Sequence, residues 1–439
     1  MSSMFDLILK GGNVVNQDGI GVRDIAVRDG TIADIGFFDA SQGDKVIDVT
    51  GLHVLPGVID SQVHFREPGG EHKEDLESGG RAAVMGGVTA VFEMPNTSPT
   101  TTSEAALADK VSRAHHRMYC DFAFYMGGTR ENVDDLADFE RLPGCCGIKV
   151  FAGSSTGNLL VDDDDSLERI LSTIKRRAAF HSEDEQRLIE RMDVRRHNDP
   201  HSHTEWRDNE AALKCTKRLV NLAYKTGANV HILHISTAQE IEYLRDHKQV
   251  ATVEMTPAHL TLFTPDAYDQ LGTYAQLNPP IRDLDNQKKL WWGLNAGITD
   301  VLGSDHSPHT REEKDQPYPN SPSGMPGVQT LVPVMLDHVN AGRLSLERFV
   351  DLTSHGPQRI FGIAGKGRIA AGYDADFTIV DMNTERVIEA GWIESTCGWT
   401  PVAGKRVKGW VRGTIIRGRR VMWDDELIGA ADGEIVKFW

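Results

Sequence analysis

Residue types that bind metal ions or transfer protons stand at the ends of several separate apolar, β-rich segments. These residues are His64, Lys149, His181, His234 and Asp305. Neutral imidazoles are good ligands for zinc-like ions, so the histidines indicate a metal site. A bound metal ion brings the pKa of its water to about 7, and a carboxylate such as Asp305 can accept the proton that this water releases. A single histidine is more often structural, but this many candidates on separate segments predict one shared site.

Lys149 fits such a site only in an unusual state. A protonated ammonium is repelled by a metal ion and cannot be a ligand. A buried lysine has a lowered pKa and can be neutral. A neutral amine can react with carbon dioxide to give an anionic carbamate, which could bridge two metal ions. The alternative is a lysine whose charge is paired, for example with Asp305, and the spacing alone leaves both interpretations open.

A second group of polar residues suits a small anionic substrate. It comprises Arg66, Asn96, Asn278 and His309. Arg66 alternates with Gln62 and His64, so on a strand these side chains share one face. A guanidinium offers a bidentate fork for a carboxylate. Each member of the group alone is more often a loop-stabilising residue, because Asn and Pro suit turns in any case.

The elements that must position these residues alternate between strands and helices. We predict eight strands, at 54–60, 88–94, 120–126, 147–151, 178–183, 229–235, 251–257 and 300–305. Helices are predicted between them, at 74–86, 103–117, 131–141, 164–176, 207–226, 237–247 and 284–297. This alternation predicts an α/β protein with a (β/α)8 TIM-type barrel, in which chemistry collects at the carboxyl ends of the strands.

Short β-strand patterns flank the barrel on both sides. Residues 5–52 alternate apolar and polar positions between Gly and Asp-Gly turns, and a similar pattern returns after about residue 366. The two segments could pair into one small β-sandwich. We therefore predict a composite β-sandwich domain from residues 1–53 and 366–439, and a barrel domain over residues 54–365.

Composition limits the classes of protein and the compartment. The net charge of -17 argues against a nucleic-acid partner. Five cysteines, an odd number without a CxxC pair, suit a reducing cytoplasm. We expect no signal peptide, and no apolar run approaches the roughly 18 residues of a membrane span.

Several motifs in order resemble those of the dihydroorotases, which are cyclic amidohydrolases of the amidohydrolase superfamily. The motifs are DSQVHFREPG (60–69), EMPNT (93–97), GIKVFAGSSTGN (147–158), HSEDE (181–185), HILHIST (231–237), NPPIR (278–282) and GSDHSPH (303–309). The likeness runs along almost the whole chain and includes the flanking β segments. It implies reversible hydrolysis of dihydroorotate to N-carbamoyl-aspartate, in pyrimidine biosynthesis.

The resemblance also implies roles for the candidate residues. His64 would bind the more buried of one or two Zn²⁺ ions, His181 and His234 would hold the second, and carbamylated Lys149 would bridge them. Asp305 would bind metal and act as general base, then acid. Arg66, Asn96 and His309 would bind the substrate carboxylate, and Asn278 would bind the substrate ring. A small-molecule substrate and a homo-oligomer, a dimer or tetramer, are further implications.

Gln62 departs from the resemblance, since the dihydroorotase pattern has histidine there (HxH). A glutamine oxygen is a weaker zinc ligand than imidazole, so Gln62 is a doubtful metal ligand. The first ion could bind weakly, could be absent, or the protein could be an inactive dihydroorotase-like subunit kept for binding. Another cyclic amidase, of hydantoinase or allantoinase type, is the alternative enzyme. Its uncharged substrates would leave Arg66 unpaired.

Overall fold

A barrel of eight parallel strands, paired in chain order, forms the centre of the molecule. The computed structural model describes residues 4–153 and 157–439. The barrel strands are β1 (Val58–Val63), β2 (Val88–Glu93), β3 (Asp121–Gly127), β4 (Cys145–Phe151), β5 (Ala178–His181), β6 (Val230–Ile232), β7 (Ala251–Met255) and β8 (Val301–Leu302). The ends of the sheet meet where the backbone N–H of His64 donates to the carbonyl of His306 over 2.7 Å. The predicted barrel is confirmed, while residues 154–156 of the predicted motif 147–158 lie outside the described residues.

Each predicted helical segment contains a helix. These helices are Leu76–Met85, Glu104–Ala114, Leu136–Phe139, Asp164–Thr173, Asn209–Thr226, Ala238–Arg245 and Leu284–Asn295. The longest, Asn209–Thr226, has clear local signals at both ends. Asp208 accepts a hydrogen bond from the backbone N–H of Ala211, and Gly227 ends the helix with a φ of 73°.

Further helices that the sequence analysis did not predict lie in the longer connections. After β5 come Glu185–Glu190 and Ser202–Trp206, after β7 come Pro257–Thr261 and Asp266–Leu271, and after β8 come Arg311–Lys314, Leu331–Asn340, Leu346–Val350 and Gly356–Phe361. Most are shorter than the windows over which a helical period is recognisable. The longer Leu331–Asn340 is buried along most of its length, so its apolar pattern has no polar face.

The flanking segments form one nine-stranded, mostly antiparallel sheet outside the barrel. Its strands are Phe5–Asn16, Gly19–Arg28, Thr31–Gly36, Gly43–Asp48, His53–Pro56, Phe377–Val387, Arg406–Ile416, Arg419–Trp423 and Glu426–Leu427. The strand His53–Pro56 joins the two segments, because it pairs with Phe5–Asn16 on one side and Phe377–Val387 on the other. Apolar side chains from both ends of the chain share one core, including Leu7, Ile25, Ile379 and Ile415.

The predicted single strand 54–60 is two strands. His53–Pro56 belongs to the outer sheet and β1 begins at Val58, with Gly57 between them. A Cβ atom on Gly57 would lie 2.2 Å from Thr89 Oγ1, so only glycine fits where the chain passes between the two sheets. Periodicity cannot detect this break because both strands are apolar. The domain limits at 53 and 366 stay a prediction.

Apolar side chains fill the interior of the barrel. Ile59, Phe92 and Tyr125 pack there against Phe361 and Val436 from the C-terminal part of the chain. The open cavity therefore lies at the carboxyl ends of the strands. Across residues 4–153 and 157–439, the longest apolar helices fall short of what a membrane crossing needs.

Candidate active site

The structure brings all of the sequence-predicted site residues around one cavity of about 220 Å³. Its lining comprises Gln62, His64, Arg66, Asn96, Lys149, His181, His234, Asn278, Asp305 and His309, together with Phe151, Leu277, Ser307, Ser323 and Gly324. These residues come from the ends of different strands and the loops that follow them. The cavity therefore lies at the end of the barrel where the sequence predicted the site.

Three of the lining residues have left-handed backbone conformations. The φ angles are 64° for Arg66, 38° for His234 and 49° for Asp305. A non-glycine residue in this region costs on the order of 1–3 kcal/mol, and such residues concentrate at functional sites. Each follows a barrel strand, so the turn redirects its side chain from the sheet into the cavity.

Two buried histidines present nitrogen atoms to each other. His181 Nδ1 lies 3.1 Å from His234 Nε2. The other nitrogen of His181, Nε2, lies 2.9 Å from Glu183 Oε2. Burial lowers the pKa of both imidazoles, so they are neutral at pH 7. An ionised Glu183 accepts the Nε2–H, which leaves the lone pair of His181 Nδ1 pointing at His234.

Glu183 is kept ionised by the buried Arg207, whose guanidinium donates to it. Burial alone would raise the pKa of Glu183. Arg207 and His181 outweigh this effect and lower the pKa to about 2. Neither Glu183 nor Arg207 was predicted from the sequence. Glu183 had a signal, since it lies two residues after His181 in the HSEDE motif. Arg207 is distant in sequence and had none.

Lys149 is buried and forms no hydrogen bond or ion pair with the described residues. Its Nζ lies 4.5 Å from the centre of the Phe151 ring. Burial lowers the pKa of Lys149 to about 7, and the fields of Asp305 and Glu254 oppose this shift without preventing it. The interpretation of Lys149 as a lysine ion-paired to Asp305 is therefore not realised in the described residues. The amine is neutral in a large fraction of molecules at pH 7, as carbamate formation requires.

Asp305 is surrounded by donors. Gln62 Nε2 donates to Asp305 Oδ1 over 2.9 Å, Ser307 Oγ lies 3.2 Å from the same oxygen, and His64 Nε2 also lies 3.2 Å from it. Burial alone would raise the pKa of Asp305. The contact with His64 and the fields of His234 and Lys149 lower this pKa to about 2. His64 Nδ1 contacts Asn96 Oδ1 at 2.7 Å, so Asn96 orients His64 in addition to facing the cavity.

The opposite wall of the cavity is cationic. Arg66 is half-buried, donates from Nε to the carbonyl of Pro308 over 3.2 Å, and forms no ion pair with the described residues. Burial lowers the pKa of Arg66 from its usual value. Next to it, His309 Nε2 lies 3.1 Å from the Ser323 carbonyl, and its Nδ1 lies 3.3 Å from Lys73 Nζ. Lys73 was missed by the sequence analysis, although it lies close to Arg66 in the same connection.

Asn278 is oriented by a histidine from a different part of the chain. His203 Nε2 lies 3.0 Å from Asn278 Oδ1 and 3.1 Å from the Leu277 carbonyl. Burial lowers the pKa of His203 to about 3, so the ring is neutral and Nε2–H is its single donor. This contact fixes the amide oxygen of Asn278 against His203. His203 lies in the long connection after β5 and carried no sequence signal.

The donor set fits a metal ion if Lys149 takes part. In the described ranges, no three His, Cys, Asp or Glu side chains are grouped as a metal site. His181 and His234 supply two neutral nitrogens 3.1 Å apart, and a third ligand of another type is needed. Lys149 faces the same cavity and makes no hydrogen bond or ion pair with the described residues, and as a carbamate it would supply the anionic oxygen that is missing.

A closed (β/α)8 barrel with polar residues at its carboxyl face defines an enzyme of the TIM-barrel class. The sequence description of the amidohydrolase family matches residues 53–421, so the chain belongs to the amidohydrolase family. The predicted hydrolase is therefore confirmed at the level of the family.

Individual relatives extend this likeness over almost the whole chain. A dihydroorotase from Halobacterium salinarum is 36% identical over 95% of this chain and 99% of its own length. An allantoinase from Escherichia coli is 34% identical over 96% of each chain. Among solved structures, the L-hydantoinase from Arthrobacter aurescens has a TM-score of 0.93 and 29% identity, and the match covers 99% of this chain and 100% of that one. The resemblance to dihydroorotases is confirmed, while relatives with other substrates are nearly as similar.

Proposed function

We propose that the protein is a metal-dependent dihydroorotase that reversibly hydrolyses the cyclic amide of dihydroorotate to N-carbamoyl-aspartate. The observation that carries the proposal is Arg66, a half-buried guanidinium that lines the cavity and has no ion-pair partner in the described residues. Removing an unpaired charge from water, even in part, is costly. An anionic substrate would supply the missing partner, and dihydroorotate carries a carboxylate beside its ring, whereas simple hydantoins and allantoin do not.

Different residues of the cavity would bind the carboxylate and the ring of the substrate. Arg66 would hold the carboxylate through a forked pair of hydrogen bonds. Ser323 and Gly324 line the cavity beside it, and Asn278 would meet the ring with the orientation that His203 gives it. This arrangement would place the ring amide near Asp305, and it would align the reacting groups before the reaction begins.

Asp305 would move the proton. Its carboxylate is ionised at pH 7 because its pKa lies at about 2, so it can accept a proton from the attacking water. It would then return that proton to the departing ring nitrogen, so that one residue acts as base and then as acid. Lys149 as its carbamate, His181 and His234 would hold the metal ion. When bound, the ion would polarise the amide carbonyl and lower the pKa of the attacking water.

The proposal is tested by turnover in both directions, starting from dihydroorotate and from N-carbamoyl-aspartate. Arg66→Ala should reduce kcat/KM for dihydroorotate by about 100-fold, since a charged hydrogen bond contributes about 3 kcal/mol. Arg23→Ala, at an exposed arginine in the outer sheet, is the matched control. Turnover of allantoin or hydantoin without dihydroorotate, and indifference to Arg66→Ala, would overturn the proposal.

The second candidate is a cyclic amidase of hydantoinase or allantoinase type. It is favoured by the match to the L-hydantoinase structure and to the allantoinase sequence. It leaves Arg66 in the cavity without a function. An inactive dihydroorotase-like subunit is the third, and it gives no reason for Lys149, His181, His234 and Asp305 to face one cavity.

The cellular compartment, the pathway and the oligomeric state of the enzyme are part of the proposal. The cysteines are all free and buried, which is consistent with the reducing cytoplasm that the sequence predicts. A role in pyrimidine biosynthesis would follow from the substrate. The homo-oligomer, a dimer or tetramer, stays a prediction that the mass of the protein in solution would test.

A further inference from the structure

We propose that Gln62 holds Asp305 through an amide hydrogen bond, and that the site consequently takes one metal ion, at Lys149, His181 and His234, rather than two. The inference deepens the proposed function, on which it rests, by stating the number of ions and the role of Gln62. It decides between the alternatives that the sequence left open for this residue.

The amide of Gln62 presents its nitrogen, and not its oxygen, to Asp305. Its amide nitrogen donates to Asp305 Oδ1 over 2.9 Å. An amide nitrogen has no lone pair to give to a cation, since Gln supplies two donors on nitrogen and its acceptor on oxygen. The oxygen, Oε1, is buried and has no hydrogen-bond partner among residues 4–153 and 157–439. A metal ligand at this position would need the amide turned over, which would break the bond to Asp305 and bring two oxygens together.

Asp305 Oδ1 is already occupied by donors from the protein. Gln62 Nε2 donates to it over 2.9 Å and Ser307 Oγ over 3.2 Å. A carboxylate oxygen has two lone pairs, so these two donors fill its capacity. An ion beside Oδ1 would displace at least one of them. Hydrogen bonds to a charged group are among the stronger ones in proteins.

The side of the site formed by Gln62 and Asp305 differs from the side formed by His181, His234 and Lys149. There, Glu183 fixes the proton of His181 on Nε2, and the Nδ1 lone pair faces His234 Nε2 at 3.1 Å. Lys149 makes no hydrogen bond with the described residues, so nothing there competes for its nitrogen. On this side an ion would displace only a hydrogen bond between two neutral imidazoles, whereas beside Asp305 it would displace hydrogen bonds to a charged carboxylate.

Gln62 is on this view a positioning residue. It keeps the carboxylate of Asp305 facing the cavity. In a two-metal site, the ion bound beside His64 would hold this carboxylate instead. Asn96 has a similar relation to His64, because its Oδ1 lies 2.7 Å from His64 Nδ1. The pair Gln62 and Asn96 fixes Asp305 and His64 from opposite sides.

Metal counting tests the inference without using activity. Protein loaded with excess Zn²⁺ and then gel-filtered should hold one ion per chain by elemental analysis. His64→Asn should still hold one, His181→Asn should hold none, and Gln62→His should hold two. Co²⁺-loaded protein should give the paramagnetic resonance of isolated ions, and Gln62→His should lose intensity through coupling between neighbouring ions. Thermal unfolding of each variant checks that it is folded.

Gln62→Met separates positioning from ligation, since methionine keeps the length and removes both the donor and the acceptor. We expect it to retain one ion per chain, and to lower kcat about tenfold while KM changes less than about twofold, because Asp305 acts in the reaction and not in binding. Unchanged kcat in this variant would contradict the positioning role.

The outcomes distinguish this inference from the proposed function. Two ions per natural chain, falling to one in His64→Asn, would overturn the inference and leave the dihydroorotase proposal standing. One ion together with no turnover of dihydroorotate would overturn the function and leave the metal count standing. A natural chain that binds no ion would overturn both.

Discussion

Glu183 Oε2 lies 2.9 Å from His181 Nε2 in the interior of the barrel. A carboxylate in contact with the outer nitrogen of a metal-binding histidine fixes its tautomer and raises its basicity. Glu183 is itself held ionised by Arg207. The lone pair that His181 offers to the cavity thus depends on a carboxylate and a guanidinium that lie behind it.

Glu183→Gln should weaken metal binding by about 10–100-fold, which is typical for loss of such a partner. The amide can still contact Nε2, but it no longer favours the tautomer whose Nδ1 lone pair faces the cavity. Competition with a coloured chelator measures the affinity. Glu190→Gln, at an exposed glutamate in the helix that follows, is the matched control. Equal affinity in the two variants would show that Glu183 does not set the tautomer.

His203→Ala should raise KM for dihydroorotate about tenfold, with a smaller effect on kcat. The reason is that His203 donates to Asn278 Oδ1 and fixes which face of the amide meets the substrate. Steady-state kinetics on folded protein measure this split. His203→Gln keeps a donor and should restore part of the affinity. His201→Ala, where the ring is paired with Asp269 on the surface, should leave KM unchanged; an equal rise there would contradict the role of His203.

Carbamate formation on Lys149 should rise with pH between 6 and 8. The pKa of Lys149 is lowered to about 7 by burial, so the ammonium dominates below this value and the reactive amine dominates above it. Metal-free protein incubated with ¹³C-labelled bicarbonate should show a carbamate resonance that grows over this range. Lys149→Met should lack the signal. A signal that is constant between pH 6 and 8 would mean that deprotonation of Lys149 does not limit the reaction.

Lys366→Met should destabilise the protein by about 3–5 kcal/mol, which is the usual effect of breaking a buried ion pair. Lys366 lies between Asp121 and Asp376, with Nζ 2.6 Å from each, and the substitution would leave Asp376 buried without its cation, while Asp121 would keep its ion pair with Arg417. Asp121 begins β3 and Asp376 precedes the outer-sheet strand Phe377–Val387, so the ion pairs link barrel and sheet.

Urea denaturation measures this loss of stability. Lys405→Met is the control, because Lys405 is partly exposed and pairs with Asp337 at 3.2 Å. Exposed pairs contribute about 0–1 kcal/mol, so little change is expected there. A similar loss in both variants would show that burial does not decide the contribution of Lys366.

The sequence by itself determined the barrel and the types of residue at its mouth. Eight alternating β-rich segments predicted the strands, because strand and helix periods differ and each segment is long enough to show one. His64, Lys149, His181, His234 and Asp305 were predicted to share a site because carboxyl ends of parallel strands meet at one face. That reasoning needs no knowledge of side-chain contacts.

The tertiary structure decided how the side chains are oriented. The hydrogen bond between Gln62 and Asp305 joins residues 243 positions apart, and the bond between His203 and Asn278 joins residues 75 apart. No local pattern encodes such contacts, because they depend on how two distant segments are packed. For the same reason the sequence could name Gln62 as a departure but could not show whether its amide presents an oxygen to a metal ion or a donor to Asp305.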